Sequence, residues 1–110
     1  MTGAELITAE RQRQIDVEGW TPEHDDEHDE CQLLDAAICY AGMAGTQTMG
    51  VERFDVAITA LMEVWPWEKE GWKPSDDPIR NLTKAGAFIA AEIDRLQRLN
   101  PPQPNQGAIP

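Results

Sequence analysis

Between Trp20 and Glu30 the chain reads Trp-Thr-Pro-Glu-His-Asp-Asp-Glu-His-Asp-Glu, and every position from 23 to 30 is acidic or histidine. Such a stretch could hold a metal or meet polar ligand groups. If 22–41 is one helix, His24, His28 and Cys31 share a face, with Asp35 one turn on, and His-x3-His is a zinc spacing. No downstream His or Cys pair completes a four-ligand site. A second arrangement joins Asp26, Glu27 and Glu30 to Glu52 and Asp55, carboxylates that suit Mg²⁺ if the two segments meet. A third lies downstream. Trp65, Trp67 and Trp72 precede Arg80, Asn81 and Lys84, which fall in the first two turns of a helix whose unpaired N–H groups favour an anion. Lys69 and Lys73 lie between, so four of the nine basic residues fall between 69 and 84. Aromatic faces beside cations suit a nucleotide, with rings on the base and charges on phosphate. Cys31 and Cys39 lie on or beside an apolar face and read as core thiols rather than nucleophiles.

The elements that must position these groups read as helices. Thr2 to Trp20 forms a first helix, with Thr2-x-x-Glu5 as a capping box and Gly19 as its stop, although Glu10 to Gln14 is wholly polar. Thr21-Pro22 starts a second, a hydroxyl cap followed by Pro at the first helical position. It runs unbroken to 41, or begins near 29 after an acidic loop. Leu33, Leu34, Ala37, Ile38 and Ala41 give its apolar repeat, and Gly42 is expected to end it. Residues 42–50, with three glycines, read as a mobile loop. Val51, Phe54, Ile58, Leu61 and Met62 mark a third helix over 51–63. Residues 64–75 form an irregular connector, because Pro66 and Pro74 bias their predecessors away from helix. Ser75-Asp76-Asp77-Pro78 starts the last helix, 78–99, whose apolar stripe is Ile79, Leu82, Ala85, Ile89, Ile93 and Leu96. Gly86 beside that stripe suggests close packing or ligand approach. The fold class expected is mostly α, a compact bundle of about four helices with a Trp/Pro-rich connector. Residues 1–100 form a single domain and 101–110 a Pro-rich tail.

At 110 residues the chain is one domain with a modest core. Nine Lys and Arg against twenty acids, a net charge of −11, argue against duplex nucleic acid and against an anionic membrane surface. No apolar run approaches a membrane span. The start, Met1 to Glu5, lacks the basic and apolar blocks of a signal peptide. Cys31 and Cys39, on one expected helix, would be roughly 12 Å apart, too far to bridge. Reduced thiols in a cytoplasmic protein are expected.

Three blocks resemble a group of small phage and prophage proteins. The first is Glu10-Arg11-x-Arg13-Gln14-Ile15, running on to Gly19-Trp20-Thr21-Pro22-Glu23-His24-Asp25-Asp26-x-His28. The second is Ala36-Ala37-x-x-Tyr40-Ala41. The third is Trp65-Pro66-Trp67, Trp72-Lys73-Pro74, Arg80-Asn81-Leu82-x-Lys84-Ala85-Gly86 and Ala91-Glu92-Ile93. Gly19-Trp20-Thr21 and Trp65-Pro66-Trp67 to Arg80 also resemble the repeat domain of ryanodine receptors, a small-ligand module. These resemblances imply a bacterial-host cytoplasmic setting and a role as a sponge for a nucleotide immune signal. Asp26-Glu27-x-x-Glu30 with Glu52-x-x-Asp55 is similar to the carboxylate motif of MazG-type nucleotide pyrophosphohydrolases, with Asp in place of the first Glu, and implies an all-α, Mg²⁺-dependent enzyme.

The expected function is a non-catalytic binder of a nucleotide-type small molecule, with a homo-oligomer allowed. Trp20, Trp65, Trp67 and Trp72 supply stacking. Lys73, Arg80, Asn81 and Lys84 meet phosphate. His24, Asp25, Asp26 and His28 bind polar ligand groups or a metal, making 20–30 the acidic half of a two-sided pocket. The alternatives are the Mg²⁺-dependent pyrophosphohydrolase and a protein-interaction module without a small ligand.

Overall fold

A computed structural model describes residues 1–49 and 62–99. The protein is mostly helical: among the described residues, all regular structure is helix. Helix α1 spans Gly3–Glu18, α2 Pro22–Asp26, α3 Gln32–Met49 and α4 Pro78–Leu99, with a single 3-10 turn at Lys69–Gly71. The helix expected over 51–63 lies outside the described residues except for its end, where 62–64 are helical.

Helix starts follow local side-chain chemistry. Thr2 Oγ1 accepts from Glu5 N at 3.1 Å while Glu5 Oε1 accepts from Thr2 N at 2.9 Å, a complete capping box. Gly19 then takes φ 74°, a left-handed conformation in which a Cβ is strained, and turns the chain into Trp20. Thr21 Oγ1 caps α2 through His24 N at 3.3 Å. Asp77 Oδ1 accepts from Ile79 N at 2.9 Å at the start of α4.

Two expected boundaries are corrected. The segment 22–41 is not one helix: α2 ends after five residues, and Cys31, at φ 67°, breaks the chain before α3. A left-handed residue cannot continue an α-helix, so His24, His28, Cys31 and Asp35 do not form a common helical face. Nor does Gly42 end α3, which runs through Gly42 and Gly45 to Met49. Two helical glycines cost about 1 kcal/mol each relative to Ala. Burial of Met43, Ala44 and Thr46 offsets that cost, as do Gln47 hydrogen bonds to Ser75 O at 2.8 Å and from Asn81 Nδ2 at 2.9 Å.

The core lies between α3 and α4, built from Leu33, Ala36, Ala37, Tyr40, Ala85, Phe88 and Ala91, with the four tryptophans packed against it. Helix α4 is therefore rotated from the orientation its apolar stripe suggests. Asn81, Ala85, Phe88, Ala91 and Arg95 face inward, whereas Ile79, Leu82, Ile89, Ile93 and Leu96 are exposed. The aromatic cluster fixes this rotation: Phe88 stacks on Tyr40 at 5.9 Å and meets Trp20 edge-on at 5.3 Å. Helix α1 crosses α4 at Gly86, where a Cβ would sit 2.5 Å from Ile7 Cδ1. Only glycine admits that approach. Among the described residues, no helix is long and apolar enough to cross a membrane.

Candidate ligand cavity

A cavity of about 290 Å³ opens between α1, the connector and the α3–α4 core. Helix α1 contributes Glu10, Arg13, Gln14 and Glu18, whose spacing puts them along one helical face. Trp20 follows the left-handed turn. Tyr40 comes from α3, Trp65, Trp67, Gly71 and Lys73 from the connector, and Lys84 and Phe88 from α4.

The aromatic wall is one continuous cluster. Trp67 meets Trp20 at 5.0 Å and Trp65 at 5.3 Å, both edge to face. Trp65 Nε1 donates to Glu68 O at 3.0 Å and so leaves the ring free to act as an apolar surface. Trp72 lies behind, tilted on Tyr40 at 4.8 Å and on Trp65 at 5.0 Å.

The polar side is an ion-pair network around buried Glu10. Its carboxylate receives Arg13 at 2.8 and 2.9 Å and Arg80 at 2.8 Å, and Arg13 also reaches Glu18 at 3.1 Å. Burial pushes the Glu10 carboxyl up, but the hydrogen bonds and charges of the two arginines outweigh it and hold the group below the usual carboxylate range. Lys84 Nζ donates to Lys73 O at 2.9 Å and sits 5.2 Å over the Tyr40 ring. Burial, then the nearby Arg80 charge, lowers the Lys84 pKa. Gln14 Oε1 is buried and accepts no hydrogen bond from the described residues. Arg13, Lys73 and Lys84 face Glu10 and Glu18 across the cavity, so three cationic side chains meet two carboxylates there, a small positive excess inside a protein of net charge −11.

Of the residues expected at a site, Trp20, Trp65, Trp67, Lys73 and Lys84 line this cavity, and Trp72 buttresses it. Arg80 is spent on Glu10 and faces an adjoining hollow of about 300 Å³. Asn81 is fully buried away from the cavity: it accepts from Ser75 N and donates to Ser75 O, both at 2.8 Å, tying the connector to α4.

The acidic stretch does not supply the charged wall. Asp25 is fully buried and paired with Arg11, which also donates to Trp20 O at 3.1 Å. It therefore acts on the cavity through the position of Trp20. Asp26 is exposed and pairs with Arg98 at 2.7 Å. His24 and His28 pack on Trp20 at 4.8 and 5.8 Å, and His28 also on Trp67 at 5.2 Å, forming a second aromatic layer. Burial, then the proximity of His24, lowers the His28 pKa.

Among the described residues, no three His, Cys, Asp or Glu side chains converge to hold a metal. Glu52 and Asp55 lie outside the described residues. Cys39 is buried, and that burial, with Asp35 nearby, pushes its thiol up to about 11, an unreactive state.

The residues that sequence reasoning gave no role are Glu10, Arg13, Gln14, Glu18, Tyr40, Gly71 and Phe88. For Glu10, Arg13 and Gln14 the signal was the wholly polar run Glu10–Gln14 on a helix otherwise needing an apolar face. Comparison with protein-family models, with curated proteins and with solved structures finds no match to this chain.

Proposed function

We propose that this protein binds, without chemical turnover, a small ligand that combines a flat ring with an anionic group, a nucleotide-type molecule. The observation that carries the reading is the pairing of a tryptophan-walled cavity with a local positive excess in a strongly acidic chain. A cavity of about 290 Å³ is at the lower end of small-molecule pockets, which suits a mononucleotide-sized ligand. Trp20, Trp65 and Trp67 offer ring faces and edges. Lys73, Lys84 and Arg13 offer donors to phosphate, and Gln14 offers a buried acceptor. The wider role that fits is sequestration: a phage-encoded sponge holding a nucleotide immune signal in the cytoplasm of a bacterial host.

The test is to incubate the protein with a nucleotide panel, with and without Mg²⁺, then heat-denature it and identify what is released. Intact ligand supports sequestration. Metal-dependent pyrophosphate release overturns it in favour of the pyrophosphohydrolase, and no binding at all overturns it in favour of an interaction module. For a bound ligand, Trp67→Ala should cost about 1–3 kcal/mol of affinity through lost stacking. Lys84→Met should cost about 1.5–3 kcal/mol through a lost charged hydrogen bond.

A further inference from the structure

Two carboxamide side chains, Asn81 and Gln14, are buried among the described residues, and they differ. Asn81 uses its whole complement of bonds. It accepts from Ser75 N at 2.8 Å and donates to Ser75 O at 2.8 Å and to Gln47 Oε1 at 2.9 Å. Gln14, only 2 % exposed, is unbonded at both ends: Oε1 accepts nothing and Nε2 donates to nothing among the described residues. Gln14 is also the one of the two that borders the cavity. We infer that Gln14 reads the edge of the ring bound there, taking an N–H donor and an adjacent acceptor from a nucleobase. The inference rests on the nucleotide-type reading above and narrows it, from any flat ring with an anionic group to a base recognised by its hydrogen-bonding edge.

Burial sets the demand. An exposed carboxamide satisfies both ends with water, whereas a buried one is destabilised by each bond it lacks. A structural role would have filled those bonds, as at Asn81. The neighbouring cation does not fill them, because Arg13 is committed to Glu10 and Glu18. Position follows from the backbone. The carbonyl of Gln14 accepts from Gly19 N and from Trp20 N, the latter at 3.0 Å, so the carboxamide and a ring of the cavity wall share one helix end. Chemistry selects the partner. A carboxamide is neutral and planar, with an acceptor and a donor side by side, and it matches a planar edge carrying the complementary pair. Adenine offers its amino N–H beside a ring nitrogen. Guanine, cytosine and uracil each offer an N–H beside a ring nitrogen or a carbonyl oxygen. A ring without such an edge can stack on the tryptophans but leaves Gln14 unbonded.

The probes are AMP, GMP, CMP and UMP, each compared by calorimetry with an analogue whose edge N–H is removed. For AMP this is purine riboside 5′-monophosphate, which lacks the amino group, and for the others the edge N-methylated nucleotides. The tightest of the four identifies the base. Removing its N–H should weaken binding to the full chain by roughly 3- to 10-fold. In Gln14→Met the parent nucleotide should lose the same factor, while the analogue binds as it does to the unaltered chain, because one bond is lost either way. Comparing the two ligands on the unaltered chain requires no variant to fold. Equal affinity of the unaltered chain for parent and analogue overturns the edge reading and leaves a stacked nucleotide standing. An equal loss for both ligands in Gln14→Met makes Gln14 structural and overturns it too. No binding of any of the four overturns the edge reading and the nucleotide reading together.

Discussion

Two polar stretches, one of eight residues and one of five, behave in opposite ways. Glu23–Glu30 is dense in acids and histidine, whereas Glu10–Gln14 is an ordinary mixture of Glu, Arg and Gln. Yet the ordinary stretch forms the charged wall of the cavity, and the dense one supports it from behind. The difference lies in what faces each. Glu10, Arg13 and Gln14 stand on one side of a 16-residue helix that lies against aromatic rings, so their charges are held where water is scarce. Residues 23–30 straddle a five-residue helix and a turn, where most side chains reach solvent. Density of ionisable groups marks a solvated segment as readily as a site. Regular spacing against a wall that buries them marks the site.

The contrast can be broken or sharpened by substitution. The largest expected effect is on Asp25. Asp25→Ala leaves Arg11 without its buried partner and should lower folding stability by about 3–5 kcal/mol, read by denaturant unfolding. If stability holds, the acidic stretch is not anchored as described. An intermediate effect belongs to the other stretch. Gln14→Met replaces a buried acceptor that has no partner among the described residues by an apolar side chain of similar shape, so the unliganded fold should be no less stable. Affinity for a cavity ligand that donates to Oε1 should fall by about 0.5–1.5 kcal/mol, measured by calorimetry. Equal loss of stability and no loss of affinity would remove Gln14 from the site. The smallest effect is at Asp26. Its pair with Arg98 is solvent-exposed, and Asp26→Ala should cost under about 1 kcal/mol of stability and leave ligand affinity unchanged. A marked loss of affinity there would restore the acidic stretch as a ligand wall.

Much of the cavity's aromatic side was legible in the sequence, because three tryptophans around two prolines cannot be a helix and cannot all be solvated. The charged side was not. Arg11 and Arg13 stand two apart in the same run, yet Arg11 turns to Asp25 and Arg13 to Glu10 and Glu18. Nothing in their types distinguishes them. Only the angle of about 200° between them around the helix does, once it is known which side faces the core.

The sequence by itself determined where α1, α2 and α4 begin and where α1 stops. Thr2 with Glu5, Thr21 with Pro22, Asp77 with Pro78 and the left-handed Gly19 act within a few residues of chain, and such hydrogen bonds and dihedral limits do not wait for the fold. Tertiary structure alone decided that α3 continues through Gly42 and Gly45, that Arg98 reaches Asp26 across 72 residues, and that α4 turns its alanines and Phe88 inward while its isoleucines and leucines face out. The reason is competition for one core. An apolar stripe states that a face prefers burial, but the face that wins is the one whose shape fits the aromatic cluster, and the other stays exposed.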